Sequence, residues 1–184
     1  MSAAHYLKYL YWSRLAKPVA DRDIFRWVRA QRPKNIVEMG VGKAVRTLRM
    51  FELLLQTTPA AEIRYTGIDL FEARSADNPG LPLKQMHTLL KPLGIKVQLI
   101  PGDPFSALAR AANGLAKTDL VIIGADQDVE ALSRSWMYLP RMLTAESRVF
   151  VETGAPGQTK FEPRTLAEIE QRVSQEKKAS RKAA

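Results

Sequence analysis

Along residues 35–152, short apolar runs alternate with segments whose apolar positions recur every three or four residues. The runs are NIVEMG (35–40), IRYTGID (63–69), IKVQLIPG (95–102), DLVIIGA (119–125) and RVFVE (148–152). They are rich in Val and Ile and apolar at successive positions, the pattern of strands buried on both faces of a parallel sheet. Between the first two, Val45, Leu48, Phe51, Leu54 and Leu55 fall at helical spacing, and Thr58-Pro59 stops the pattern. A second helix is expected over Leu83–Lys91, after the turn-rich SADNPGLP. A third, FSALARAANG, stops at Asn113-Gly114, and a fourth carries Val129, Leu132, Trp136 and Leu139, with Pro140 bending or ending it. Strands begin 24 to 32 residues apart, the length of a βα unit. The fold expected is α/β: a doubly wound, mostly parallel sheet in three α/β/α layers.

The flanks read differently. Residues 1–33 hold two helices separated by Pro18, with Asp21 a candidate cap for the second. Tyr6, Tyr9, Tyr11, Trp12, Phe25 and Trp27 suit packing on the core, or a lid or dimer face. The core unit spans 34–153. Residues 154–184 read as an irregular linker, TGAPGQTKFEP, then a helix starting near Pro163 with Leu166, Ile169 and Val173 on one side, then a disordered basic tail, KKASRKAA.

Composition narrows the chemistry. No cysteine is present, so neither a disulfide framework nor a thiolate metal site forms. The opening residues, MSAAHYLKYLYWSRLAK, are interrupted by Lys8 and Arg14 and make neither a secretory core nor a membrane span; the expected location is the cytoplasm. Net charge is +9, and the first 34 residues carry eight Lys/Arg against two acids, the last 14 five against one. The middle is therefore nearly neutral. Basic flanks suit solubilising surface charge or contact with phosphate backbones.

Ligands of an open parallel sheet bind beyond the carboxyl ends of its strands. Those ends hold Glu38, Gly40 and Gly42; Asp69; Gly102-Asp103; and Asp126. Each acid alone is explained by a helix cap or a solvated loop, but four at consecutive tips point to one site. The glycines let backbone approach a ligand at a helix N-terminus. The dinucleotide fingerprint would need glycine at Val45, and no GxxxxGK[ST] is present. An acid before the first glycine disfavours a pyrophosphate and favours a cation, while Asp69 is placed for ribose hydroxyls. The ligand expected is a cationic nucleoside without phosphates.

These segments resemble the class I S-adenosylmethionine-dependent methyltransferases over roughly residues 30–153. VEMGVGKA looks like their acid-GxG motif, with Ala44 at the place of a third glycine. YTGIDLFE looks like the segment ending in the ribose-binding acid, Asp69, followed by Leu70. PGDPFSAL looks like the adenine-contacting segment, Asp103 with Pro104, and TDLVIIGADQD like the strand whose terminal acid, Asp126, faces donor and acceptor. The resemblance implies S-adenosylmethionine as cofactor and a small-molecule acceptor, with oxygen favoured. Asp126 and Asp128 are the catalytic candidates, and His5 and His87 are read as structural or surface residues.

The resemblance is incomplete. The final antiparallel strand pair is expected to be missing after Glu152, leaving an edge for the terminal helices or a second subunit to cover. No metal is assigned, although Asp126, Asp128 and Glu152 could offer oxygen ligands to a divalent ion. Three alternatives stay open: a non-catalytic binding or dimerisation module, an RNA methyltransferase using the basic flanks, and, weakest, a nicotinamide enzyme.

Overall fold

The computed structural model describes residues 3–155 and 158–183. Six strands form one sheet: β1 (Asn35–Met39), β2 (Arg64–Asp69), β3 (Lys96–Pro101), β4 (Thr118–Ile123), β5 (Leu143–Thr153) and β6 (Lys160–Arg164), in the order β3-β2-β1-β4-β5-β6. The first five are parallel and β6 runs antiparallel to β5. Strand order reverses between β1 and β4, which fixes where a cleft opens.

Alternation of side chains divides the core into two layers. Ile36, Tyr65, Leu120, Ile122 and Phe150 face helices α2 (Asp21–Gln31), α3 (Val45–Leu54) and α4 (Leu83–Leu90). Val37, Met39, Ile68, Val121, Ile123 and Val149 face the other side. There they pack on α5 (Pro104–Ala111), α7 (Leu139–Met142) and α8 (Leu166–Ala183), with Trp136 of the turn that joins α6 (Val129–Ser135) to α7. This is the three-layer α/β/α arrangement that the apolar runs demand. Pro140 starts the short helix α7 rather than kinking α6.

The N-terminal aromatics mostly pack. Helix α1 (Ala3–Leu10) and a π-helical turn lead to α2, where Phe25 is buried and the Trp27 ring meets Phe150 edge-on at 6.1 Å. Tyr6 and Tyr11 stay exposed. Asp21 is not the cap of α2: it is the first helical residue, and no side chain caps that end.

Two expectations at the C-terminus are corrected. One antiparallel strand is present, in the stretch read as a linker and a helix start. Phe161 is buried, and Pro163 stands opposite Phe150 on an edge strand, where a missing N–H breaks no ladder. The edge that argued for a dimer is thus filled. The new edge is five residues long and carries Lys160, Glu162, Pro163 and Arg164, residues that resist further pairing. Helix α8 continues through Ala183 instead of giving way to a disordered tail, because residues 172–183 contain neither Gly nor Pro and are rich in Lys, Arg, Glu and Ala. Pro156, Gly157 and Ala184 lie outside the described residues.

Candidate functional site

Backbone hydrogen bonds draw the strand tips into one rim. Gly40 N donates to Ile68 O (2.9 Å), Gly124 N to Met39 O (2.8 Å) and Gly102 N to Asp69 O (2.9 Å). The loop after β1 then turns through positive φ at Gly40 (+85°) and Gly42 (+57°). At Gly40 a Cβ would also lie 2.6 Å from Asp126 Oδ1 and 2.5 Å from Gln127 Nε2, so the ends of those two side chains would have to shift to admit one. At Gly42 a Cβ would meet nothing within 4 Å: the space over this loop is open.

Beside that loop lies a cavity of about 520 Å³, lined among others by Gly40, Val41, Gly124, Asp126, Asn78 and Asp21. Lys43, Arg46 and Glu152 also reach it. Of the residues expected from sequence, Gly40 and Asp126 stand directly on this cavity.

Asp69 adjoins it at the tip of β2, 3% exposed. Its Oδ2 accepts from Gly42 N (2.8 Å), and Oδ1 accepts from Phe71 N (2.9 Å). Arg74 closes on both oxygens, through Nε at 2.5 Å and Nη2 at 2.6 Å, while its Nη1 bonds Asp126. Burial pushes the Asp69 carboxyl up, but Arg74 and the two backbone N–H groups outweigh it and hold the carboxyl below its usual range. Asp126 behaves likewise: burial raises it, and Arg74, Gln127 and Asn78 bring it net down. A carboxyl held down this way is a weak proton acceptor. The bridging Arg74 and its neighbour Asn78 were missed from sequence, because nothing in RSADNPG marks which polar side chain folds inward.

Glu38 is corrected. It is fully buried under the glycine loop, accepting from Arg46 Nε (2.9 Å), Thr47 Oγ1 (2.7 Å) and Tyr65 OH (2.9 Å). It reaches the cavity only through Arg46, whose Nη2 also donates to Gly40 O (3.2 Å). Arg46 gathers two more acids, with Nη1 at 3.8 Å from Asp21 and 3.9 Å from Glu152. The carboxylate meant for a cationic ligand is therefore an anchor, and other acids face the space.

Asp103 caps α5, accepting from Ser106 N (3.0 Å) and Ser106 Oγ (2.6 Å), with Pro104 in the first turn. Asp128, expected as catalytic, caps α6 through Ala131 N (2.7 Å) and does not line the cavity. Its carboxylate is committed to a helix end, which corrects that assignment. Leu70, after Asp69, is 44% exposed. Among the described residues no group of three or more His, Cys, Asp and Glu is placed to hold a metal ion. No helix among them is long and apolar enough to cross a membrane.

No family model matches the chain, and no curated protein does. Solved structures do resemble it. A putative methyltransferase, yhhF, from Escherichia coli superposes with a TM-score of 0.54 at 16% identity, covering 77% of this chain and 71% of that one. A putative caffeoyl-CoA O-methyltransferase from Staphylococcus aureus gives 0.53 at 14% identity, over 82% and 66%. An O-methyltransferase family protein from Burkholderia thailandensis gives 0.51 at 14% identity, over 82% and 41%. The chain thus spans less than two thirds of the length of the latter two. The sheet order and these likenesses define the fold as the Rossmann-like methyltransferase fold.

Proposed function

We propose that the protein is an S-adenosylmethionine-dependent methyltransferase whose acceptor is a small molecule methylated at oxygen. The observation that carries this reading is Asp69. It is a buried carboxylate at the tip of β2, hydrogen-bonded to Gly42 N, beside a 520 Å³ cavity whose glycine loop leaves open space. Two oxygens so fixed suit the paired hydroxyls of a ribose. The group's fit is tested by its surroundings: carboxylates of Asp126, Asp21 and Glu152 face the cavity, suiting a sulfonium and an ammonium, and Val45 stands where a dinucleotide loop needs glycine.

When bound, S-adenosylmethionine supplies an activated methyl group. The chain's task is to position the acceptor in line with it and exclude water. Asp69 would hold the ribose, Leu70 the base, and the Gly40–Gly42 turn would let the backbone approach. The likeness to O-methyltransferase structures supports oxygen as acceptor atom only through shared fold.

The test is calorimetric titration with S-adenosylmethionine, S-adenosylhomocysteine and NAD. Asp69→Ala should weaken the first two about ten- to hundredfold, the loss expected for hydrogen bonds to a charged group. Binding of NAD alone, or of none, overturns the reading. Arg74 adds a second arm. Its guanidinium occupies both oxygens that the ribose would need, so it must move aside for the ligand. Arg74→Ala should therefore tighten S-adenosylhomocysteine about tenfold by removing a competing internal partner. The same guanidinium favours a second reading, a non-catalytic module with a blocked site. In that case the wild type binds neither ligand, and Arg74→Ala restores binding.

A further inference from the structure

Part of the cavity lining comes from outside the α/β core. Helix α2 precedes the first strand, and its first residue, Asp21, is 3% exposed yet lines the cavity. Among the described residues its carboxyl has no hydrogen-bond partner, and the nearest opposite charge is Arg46 Nη1 at 3.8 Å. The groups facing it are Arg46 and Arg49 of α3, Glu38 of β1 and Glu152 of β5; Lys43 and Asp126 line the same space. Of these, Arg46 is bonded to Glu38 and Gly40 O, Arg49 donates to Lys17 O (2.6 Å), and Glu152 accepts from Ala125 N (3.1 Å). Three carboxylates thus share one guanidinium, and of the two that line the cavity, Asp21 and Glu152, Asp21 is the one without a hydrogen bond. A nearly buried carboxyl whose nearest cationic contact is long, at 3.8 Å, and shared with two other acids is placed to accept from a further cationic donor.

We propose that Asp21 seats the ammonium of the ligand's amino-acid end, with Glu152 as its neighbour across Arg46. With the nucleoside end at Asp69 on β2 and the chain of the ligand crossing the Gly40–Gly42 turn over β1, the amino-acid end would fall to the part of the cavity lined by Asp21 and by Glu152 of β5. An ammonium there supplies both the missing positive charge and N–H donors. This inference rests on the S-adenosylmethionine reading and adds a binding residue that no core motif contains.

Burial, more than Glu38 and Glu152, pushes the Asp21 carboxyl up to about 6, against Arg46 and Arg49. Near that pH the empty site holds a proton that an ammonium would expel. Titrating S-adenosylhomocysteine at about pH 6 in buffers of different ionisation enthalpy should show proton release, and affinity should rise about tenfold from about pH 5 to about pH 7. Asp21→Asn should abolish both effects and weaken S-adenosylhomocysteine about ten- to hundredfold. It should leave 5′-methylthioadenosine, which lacks the amino-acid end, unchanged. Equal loss of both ligands, or S-adenosylhomocysteine binding with no proton release, overturns the assignment of Asp21 while the cofactor reading stands. If wild type binds neither ligand, both fall.

Discussion

Arg46→Met is expected to destabilise the protein by about 3–5 kcal/mol, the penalty for leaving a buried carboxylate without its partner. Glu38 is wholly enclosed by β1, β2 and α3, and among the described residues its only cationic contact is Arg46. Burial disfavours the Arg46 charge, yet Glu38, Asp21 and Glu152 together hold its pKa above the ordinary value. The guanidinium is therefore fixed by its acids, and they by it. Methionine matches the stem's apolar bulk but offers no donor, so the buried Glu38 carboxylate loses its counter-charge and a hydrogen bond. Such a loss is a large part of the 5–15 kcal/mol typical of a domain. Urea unfolding should show it as a lower midpoint, and adding Glu38→Gln should recover part of it through the coupling of the pair. An exposed pair such as Arg172–Glu176 should move stability by less than about 1 kcal/mol when broken. A midpoint for Arg46→Met within about 0.5 kcal/mol of wild type would mean that Glu38 is not anchored as described.

The parallel strands were legible because each is a run of Val and Ile buried on both faces, and their tips followed from chain order alone. The side chains at those tips were less legible. Glu38 sits on the face of β1 shared with Ile36, which looks toward Arg46, Thr47 and Tyr65. Strand parity contained that information, but an acid one residue from the end of a short strand reads equally well as a rim residue. Asp103 and Asp128 follow the bland alternative of helix capping, a local pattern identical in sequence to a ligand acid. Strand β6 escaped notice because KFEPR offers one buried apolar anchor, Phe161, too few for a period-two pattern, and Pro163 argues against a strand unless the strand is an edge. Asp21 and Arg74 depend wholly on tertiary packing. An acid in the first turn of a helix is favoured by the dipole whether it faces water or a cavity, so its spacing carries no sign of burial.

That burial makes the second large effect one of pH. The folded protein holds the Asp21 proton up to about 6, whereas the unfolded chain releases it near the ordinary value of 3.8. Between those values the folded state binds more protons than the unfolded state, so each step upward in pH lowers stability through this group. The full difference corresponds to about 3 kcal/mol, present as a penalty at neutral pH and absent below about pH 4. Asp69, Asp103 and Asp126, whose carboxyls are held low, act in the opposite sense and lose their contribution as pH falls. The wild-type curve is therefore a sum of opposed terms, and the difference between wild type and Asp21→Asn isolates one of them. That difference should be flat above about pH 6, with the variant more stable by up to about 3 kcal/mol, and should shrink toward zero by about pH 4. Thermal or urea unfolding across that range measures it, and a variant no more stable than wild type at neutral pH would show that Asp21 is already satisfied in the empty site. Stabilisation by Asp21→Asn alongside weaker S-adenosylhomocysteine binding would mean that the carboxylate is kept at the expense of stability, as a ligand-binding group is and a packing residue is not.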